Sequence, residues 1–403
     1  MVLLGLTSMF TDISSEMVVA VLPLYLVFGL GLSPVQFGVV DGLYQGVSAL
    51  VRIAAGVVGD RWRRHKDVAA AGYGLSALTR LALPLAGGAW TAIGAIVMVD
   101  RIGKGIRTAP RDAMIAQSSR RDGLGAAFGV HRALDTAGAM LGPLVAFGIL
   151  ALAPRGYDAV FVASFCFACI GLAILWLFVD RDPSAPRDPD DVAPEPLGAP
   201  ERPPTLRQAI ALLGRGRFRL LALIGTALAL ATVSDAFVYL SLQSRLSFDA
   251  TLLPLLYIGT ALVYMLLAVP AGRLADRVGR LRMFLTGHVL LVMLYVVLLL
   301  PSAGALQVVA ALLLLGGYYA ATDGVLMALA STLLPSSMQA TGMAVIVTGT
   351  SAGRLLSAVI FGALWTWAGA DVALVAFAVA LAAGVAVAAL LPIAGRRNDA
   401  FAA

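Results

Sequence analysis

The chain has 403 residues, of which 60% are hydrophobic and only 13% are charged, about half the charged fraction of soluble domains. This composition excludes an ordinary soluble globular protein and predicts an integral membrane protein. The net charge of +6 is typical of arginine-rich loops on the cytoplasmic side of a membrane. No basic segment with interleaved aromatic residues indicates binding to nucleic acid.

Apolar stretches alternate with short polar loops along the whole chain, and each is about the 20 residues that a helix needs to cross a bilayer. In chain order the predicted spans 1 to 12 are 3–29, 35–58, 67–88, 90–115, 125–153, 157–179, 218–243, 251–272, 283–300, 305–333, 338–366 and 370–394. We expect the first stretch to be a span, because no signal-peptide cleavage pattern accompanies it. The sequence therefore predicts an all-α membrane protein.

One long hydrophilic segment, 180–208, interrupts this pattern, and its proline and charge content does not form a packed core. It leaves six spans on each side. The predicted domains are an N-terminal six-helix bundle (1–180), a cytoplasmic proline-rich linker with an amphipathic segment (181–217), a C-terminal six-helix bundle (218–395) and a cytoplasmic tail (396–403).

Arginine and lysine concentrate in alternate loops, which predicts the orientation in the membrane. The loops after spans 2, 4, 8 and 12 contain Arg61, Arg63, Arg64, Lys66, Arg120, Arg121, Arg273, Arg277, Arg280, Arg282, Arg396 and Arg397, whereas the opposite loops contain Arg155 and Arg245. We therefore expect both termini and the linker to be cytoplasmic, in a multi-pass protein of a bacterial plasma membrane.

The two halves share sequence patterns at matching places, which indicates an internal repeat. "GVVGDRWRRHK" (56–66) follows span 2, and "GRLADRVGRLR" (272–282) follows span 8. These segments resemble the loop signature G-x-x-x-D-R-x-G-R-x-R of the major facilitator superfamily. "RIGKG" (101–105) is similar to that family's R-x-x-Q-G, and "GAMLGP" (138–143) is similar to its G-x-x-x-G-P antiporter motif. The resemblance implies two pseudo-symmetric six-helix bundles.

The resemblance also implies roles for the residues of these motifs. The signature loops would act as a conformational latch, formed by Gly56, Asp60, Arg61 and Arg64 in the first copy and by Gly272, Asp276, Arg277 and Arg280 in the second. In the antiporter motif, Gly138, Gly142 and Pro143 would allow close helix approach and a local bend.

Charged side chains recur at helical spacing near the middle of several spans, where each costs about 2.5–3.5 kcal/mol on insertion scales. Asp12 and Glu16 lie one helical turn apart in span 1. The other candidates are Asp41 and Tyr44 in span 2, Arg101, Lys104, Arg107 and Arg111 in span 4, His131 and Asp135 in span 5, Asp235 and Tyr239 in span 7, Tyr319 and Asp323 in span 10, and Arg354 in span 11. So many ionisable groups indicate a water-filled transport pathway.

The chemistry of these groups favours proton-coupled transport. Burial raises and a nearby cation lowers the pKa of a carboxylate, so an acid whose cationic neighbours move can load and release a proton. The predicted proton-handling groups are Asp12, Glu16, Asp235 and Asp323, with the pair His131 and Asp135 as a relay, since the reference pKa of histidine is about 6.5. The cations Lys104, Arg107 and Arg111 favour a substrate with an anionic group.

Three other functions are compatible with parts of the sequence. Six tyrosines would suit an exporter of amphiphilic compounds: Tyr44, Tyr239, Tyr257, Tyr264, Tyr318 and Tyr319. A divalent-metal transporter would use Asp12, Glu16 and Asp235, but few His, Cys or Met ligands accompany them. An intramembrane enzyme would use His131 and Asp135, but no hydrolase motif supports it. We expect a monomer in the lipid bilayer that moves a small molecule and protons, without cofactor or bound metal.

Overall fold

The computed structural model describes residues 2–62, 65–118, 124–179, 212, 214, 216–301, 304–334 and 339–391. Within these ranges, the side chains of residues 49, 50, 52–62, 109, 116, 117, 124–128 and 339–341 lie outside the description. Arg64, the tail 396–403, most of the linker 181–217 and the side chains of Asp60 and Arg61 are therefore not covered. The domain boundaries predicted from the sequence stay predictions.

The chain divides into two compact units. The first contains six helices, α1 (Val2–Pro23), α2 (Pro34–Trp62), α3 (His65–Leu85), α4 (Trp90–Gln117), α5 (Leu124–Leu152) and α6 (Tyr157–Phe178), together with the segment Asp249–Ile258. The second contains α7 (Gly216–Leu230), α8 (Asp235–Leu246), α9 (Leu253–Val278) from Gly259 onward, α10 (Arg280–Leu299), α11 (Ala305–Thr322), α12 (Val325–Thr332), α13 (Gln339–Ala368) and α14 (Ala370–Leu390).

Local sequence explains where two of the helices begin, α2 and α10. Pro34 is the first residue of α2. The backbone N–H and the hydroxyl of Ser33, the preceding residue, donate to the side-chain oxygen of Gln36 at 2.9 and 3.1 Å. The Gln36 backbone N–H lies 3.4 Å from the Ser33 hydroxyl. This is a capping box, with proline at the position where its missing N–H costs nothing. Between α9 and α10 only Gly279 intervenes, at a φ of 105° that favours glycine.

Ten helical segments of the described chain are long and apolar enough to cross a membrane. Spans 7 and 10 each consist of two consecutive helices, α7 with α8 and α11 with α12. The two further spans are α2 and α4. The mean hydropathy of α4 is lower than that of the other spans because it carries six ionisable residues from Asp100 to Asp112. The predicted all-α fold of twelve spans is therefore confirmed.

Helices pair in the same pattern in the two units. In the first unit α1 packs on α5 and α6, and α3 packs on α4 and α6. In the second unit the equivalent spans do the same: α7 packs on α13 and α14, and α10 packs on α11 and α14. The sequence repeat thus corresponds to a repeat of packing, as expected for pseudo-symmetric bundles.

Three spans depart from regular α-helix near their middle or end. Span 1 continues beyond Pro23 as a π-helical turn, Leu24–Gly29, because proline lacks the N–H for the preceding ladder. Span 7 unwinds at residues 231–234, and span 10 unwinds at Asp323 and Gly324. Gly324 has a φ of 77°, a conformation that favours glycine.

Candidate functional site

The first unit carries its two acids on a polar face of α1. The Asp12 side chain is 19% exposed, and Glu16 is half-buried one turn further along. Their neighbours on α1 are small hydroxyl residues, which are buried: Thr7, Ser8, Thr11, Ser14 and Ser15. Thr7 and Thr11 donate to carbonyls of the preceding turn, Leu3 and Thr7. The carboxylates are thus the strongest polar groups that this face offers.

A cationic stripe on α4 is oriented toward these acids. The Arg107 Nη2 lies 3.8 Å from the Asp12 Oδ1, and the Arg107 guanidinium lies over the Tyr73 ring at 4.6 Å. Although the Arg107 side chain is only 3% exposed, its Nη1 has no hydrogen-bond partner. Since 3.8 Å exceeds hydrogen-bonding distance, the contact with Asp12 is electrostatic and loose.

Lys104 lies one turn before Arg107. It is an electrostatic neighbour of both Asp12 and Glu16. Among the described residues, neither Lys104 nor Glu16 forms an ion pair within 4.0 Å. One ammonium therefore lies in the field of two carboxylates without being committed to either.

Arg111, at the next turn of the same stripe, is held more firmly. Its Nη1 donates to the Ser8 hydroxyl of α1 at 2.8 Å, and its Nε and Nη2 donate to the Asp112 carboxylate at 3.1 and 2.9 Å. At about 100° per residue, Arg101 and Asp112 project from one stripe of span 4, whereas the structure pairs Asp112 with Arg111. A long guanidinium side chain reaches its immediate neighbour, which a helical projection of Cα positions does not show.

Arg101 belongs to a separate buried cluster, which we call the arginine–aspartate triad: Arg80 of α3 and Asp100 and Arg101 of α4. Arg80 Nη1 lies 3.0 Å from the Asp100 carboxylate, and Arg101 binds the same carboxylate through Nε, at 2.9 Å, and Nη2. All three side chains are at most 5% exposed. The Arg101 guanidinium lies 3.8 Å from the centre of the Tyr44 ring of α2. In this conformation Arg101, predicted to face a cavity, is engaged within the protein.

Two further candidates of the first unit lie on α5 and α2. His131 Nε2 lies 3.4 Å from the Asp135 carboxylate one turn away, and neither ring nitrogen makes a hydrogen bond. Arg111, Asp112 and Asp12 are further electrostatic neighbours of the imidazole. Asp41 is buried on α2. Gly138, Gly142 and Pro143 lie in α5, and both glycines contact α1.

In the second unit, the acid Asp235 begins α8 directly after the unwound segment of span 7. Its carboxylate accepts a 2.6 Å hydrogen bond from the Tyr319 hydroxyl of α11. Arg354 of α13 is its cationic neighbour, and Asp323 lies near as a second acid. Asp323 itself is exposed, at the end of α11. Tyr239 is buried at 1% exposure and donates to the Thr260 hydroxyl at 2.8 Å.

The second signature segment is mostly helical. Gly272, Asp276 and Arg277 belong to α9, and Arg280 is the first residue of α10. Arg280 lies 3.2 Å from the Asp276 carboxylate, across the bend at Gly279, and it donates at 2.9 Å to the Ala328 carbonyl of α12. One guanidinium thus connects three helices of the unit.

Two tyrosines with a structural role gave no signal in the sequence, whereas Asp100, which joins two arginines, lies on the same helical stripe of span 4 as Lys104, Arg107 and Arg111. Tyr73 lies against the Arg107 guanidinium. Tyr295, inside the apolar run "VMLYVVLLL", binds the backbone of Ala231 and of Val233 in the unwound segment of span 7. Within the described residues, no three His, Cys, Asp or Glu side chains come together as a possible metal-binding group.

Comparison with known proteins identifies the family. The model of the Major Facilitator Superfamily matches residues 4–260 and 220–402, so the chain belongs to this superfamily and is a multi-pass membrane transporter. An uncharacterised MFS-type transporter of Methanocaldococcus jannaschii is 31% identical over 295 residues, which are 72% of this chain and 69% of the relative. An uncharacterised protein of Mycobacterium tuberculosis is 33% identical over 208 residues, 49% of this chain and 50% of the relative.

Solved structures show the same fold at low sequence identity. The nucleoside transporter NupG superposes with a TM-score of 0.74 and 14% identity, covering 96% of each chain. An auto-inhibited peptide transporter of the POT family superposes with a TM-score of 0.77 and 15% identity, covering 100% of this chain and 98% of the other.

Proposed function

We propose that this transporter moves a small organic solute with an anionic group, either an anion or a zwitterion, and couples that movement to protons by alternating access. The acids Asp12 and Glu16 load the proton. The observation that carries the proposal is their incomplete pairing. Asp12 has a cation at 3.8 Å, and Glu16 has no ion pair among the described residues.

The same unit contains a standard for comparison, the arginine–aspartate triad. There the Asp100 carboxylate is buried between two guanidinium groups: Arg101 donates hydrogen bonds to Oδ2, and Arg80 Nη1 forms an ion pair with Oδ1 at 3.0 Å. Removing one partner of such a group strands a buried charge, so these residues suit a fixed structural role. Loosely paired acids in a membrane segment are instead expected to serve transport or proton transfer.

The substrate class is inferred from the cations that face the acids. Lys104 is free of ion pairs among the described residues, and the Arg107 Nη1 has no hydrogen-bond partner. A substrate carboxylate or phosphate would satisfy these donors, and arginine suits such groups because its planar fork binds two oxygens at once. Protonation of Asp12 would release Arg107 for that purpose, which links proton and substrate in one place.

Asp235 is the corresponding acid that we propose for the second unit, with Asp323 nearby. The Tyr319 hydroxyl donates to its carboxylate and Arg354 is its cationic neighbour, and loss of either contact during a conformational change would favour proton uptake. We assign the latch of this unit to Asp276 and Arg280, because Arg280 holds α9, α10 and α12 together.

The test uses purified protein in liposomes that contain the pH-sensitive dye pyranine. Amino acids, dicarboxylates and sugar phosphates are added one at a time, and we expect at least one of them to cause proton flux. Asp12→Asn and Glu16→Gln should both fold, because a neutral isostere on a hydrated face removes an insertion cost. At least one variant should lose the solute-dependent proton flux but keep gradient-free exchange of the labelled solute.

Asp158→Asn is the matched control, since Asp158 lies in the first turn of α6, outside the acid cluster. It should retain wild-type proton flux. Wild-type flux in both Asp12→Asn and Glu16→Gln would overturn the proton-handling role. Flux caused only by uncharged amphiphiles would overturn the substrate class and favour an exporter of amphiphilic compounds.

A further inference from the structure

Two glycines of α5 lie directly against the two acids of α1. A methyl group placed on Gly138 would lie 3.1 Å from the Asp12 Cβ and 2.5 Å from the Met9 carbonyl oxygen. A methyl group placed on Gly142 would lie 2.7 Å from the Glu16 Cβ and 2.7 Å from the Ile13 carbonyl oxygen. Even an alanine therefore requires α1 to move.

The two glycines of α5 have the same spacing along their helix as the two acids of α1. Asp12 and Glu16 are four residues apart on α1, and Gly138 and Gly142 are four residues apart on α5, so each glycine meets one acid. Other glycines of the unit lack this relation. Gly148 of α5 has open space around it, and Gly171 of α6 meets α1 at Thr7 and Thr11.

We propose that Gly138 and Gly142 are positioning residues that set where the Asp12 and Glu16 carboxylates lie among the charges of the first unit. The close approach places the α1 backbone against α5 at the acids themselves, so the depth and direction of each carboxylate follow from its glycine. The importance of this positioning for transport rests on the proposed function, but the positioning itself is testable without a substrate.

The carboxylates are sensitive to position because charged groups surround them on several helices. Asp12 faces Lys104, Arg107 and Arg111 of α4 and His131 and Asp135 of α5. Glu16 faces Lys104 and Arg101 of α4, Arg80 of α3, Asp12 of its own helix and the Tyr44 hydroxyl of α2. From α6, the polar contact to this part of α1 is the uncharged Ser164, which binds Ser14. A small displacement changes distances to charges of both signs.

The experiment measures the protonation of each acid by infrared spectroscopy of the full-length protein in lipid. The C=O bands of protonated carboxylic acids are followed from acid to alkaline pH. The band that is absent in Asp12→Asn is assigned to Asp12, and the band that is absent in Glu16→Gln is assigned to Glu16. We expect Gly138→Ala to shift the titration midpoint of the Asp12 band by about half a pH unit or more, and Gly142→Ala to shift that of the Glu16 band similarly.

The controls separate positioning from general packing. Gly148→Ala should leave both midpoints unchanged, and Gly171→Ala, which disturbs α1 at Thr7 and Thr11, should reduce thermal stability without the acid-specific pattern. Folded Gly138→Ala and Gly142→Ala proteins with wild-type midpoints would overturn the proposal, as would equal shifts of both bands in every variant.

A second measurement uses the unmodified chain, in case the alanine variants do not fold. In solid-state NMR spectra of glycine-labelled protein, the Cα shifts of Gly138 and Gly142 should titrate with the midpoints of the Asp12 and Glu16 bands, and that of Gly148 should not. Flat shifts at Gly138 and Gly142 would contradict the proposal. Wild-type proton flux in Asp12→Asn and Glu16→Gln would refute the proposed function and leave this result standing.

Discussion

Individual charges in the first unit fall into two groups that differ in how completely they are paired. Asp100 is enclosed by Arg80 and Arg101, and Arg80 also lies within 3.5 Å of the hydroxyls of Ser14 and Ser15. This triad ties together α1, α3 and α4. In contrast, Asp12 has a cation only at 3.8 Å, and Glu16 forms no ion pair among the described residues. The distinction predicts opposite effects of similar substitutions.

At the residue scale, we predict that Asp100→Asn is strongly destabilising, because it leaves two buried guanidinium groups with a neutral partner. Breaking a buried ion pair costs about 3–5 kcal/mol, which should appear as a large fall in the thermal unfolding midpoint of the purified protein. Asp112→Asn is the matched control. It also removes a carboxylate of α4 that binds an arginine, but this carboxylate is 32% exposed, so we expect about 1 kcal/mol or less. Equal midpoints for the two variants would show that the triad is not structural.

At the element scale, the unwound segment of span 7 is held by side chains of two other helices. The Tyr295 hydroxyl of α10 accepts a 2.8 Å hydrogen bond from the Val233 N–H and donates to the Ala231 carbonyl at 3.3 Å. Ser357 of α13 binds the intervening Thr232 carbonyl. Backbone groups that leave a helical ladder inside a membrane need such partners. The break therefore depends on α10 and α13 as much as on its own sequence.

We predict that Tyr295→Phe destabilises this unwound segment while leaving the packing of the aromatic ring in the core unchanged. It removes only the hydroxyl, and a buried backbone group left unsatisfied costs about 1–3 kcal/mol. The unfolding midpoint should fall, and the Val233 amide should exchange faster in hydrogen-exchange mass spectrometry. Tyr264→Phe on α9 is the control, because Tyr264 is half-buried and makes no hydrogen bond among the described residues. Unchanged exchange at Val233 would mean that the hydroxyl does not hold the break.

At the scale of the whole molecule, the distribution of arginines predicts which loops face the cytoplasm. The structure shows at which positions an introduced cysteine can report the orientation of a loop without straining the backbone. Gly31 and Gly369 have φ values of 67° and 91° and tolerate substitution poorly. Gly88, between α3 and α4, has open space around it, and Pro301, between α10 and α11, is exposed. These two positions are better sites for labels.

In a cysteine-free background, we predict that Gly88→Cys and Pro301→Cys react with an impermeant thiol reagent added outside intact cells. Pro194→Cys, in the linker, should react only after the membrane is permeabilised. Labelling is read by a mass shift on gels or by mass spectrometry. Reaction of Pro194→Cys in intact cells would reverse the predicted orientation of both termini.

The sequence by itself determined the spans, and their bounds differ from the observed helices by only a few residues. Span 2 was predicted at 35–58 and is Pro34–Trp62, and span 12 was predicted at 370–394 and is Ala370–Leu390. The reason is that crossing a bilayer requires a segment of sufficient length and apolar content, and both are properties of the segment's own sequence. The repeat was also visible, because its signature residues lie at helix ends at matching places in the two halves.

Only the tertiary structure decided which charge meets which, and where helices unwind. Helical periodicity placed Arg101 and Asp112 on one stripe of span 4, whereas packing of α3 on α4 gave Arg101 and Arg80 a common partner in Asp100. The breaks at 231–234 and at Asp323 interrupt apolar runs that favour continuous helix, and the first of them is held by side chains such as Tyr295 from distant parts of the chain. The contact of Gly142 with Glu16 likewise joins residues far apart in sequence. Such pairings depend on distances between helices, which no single segment contains.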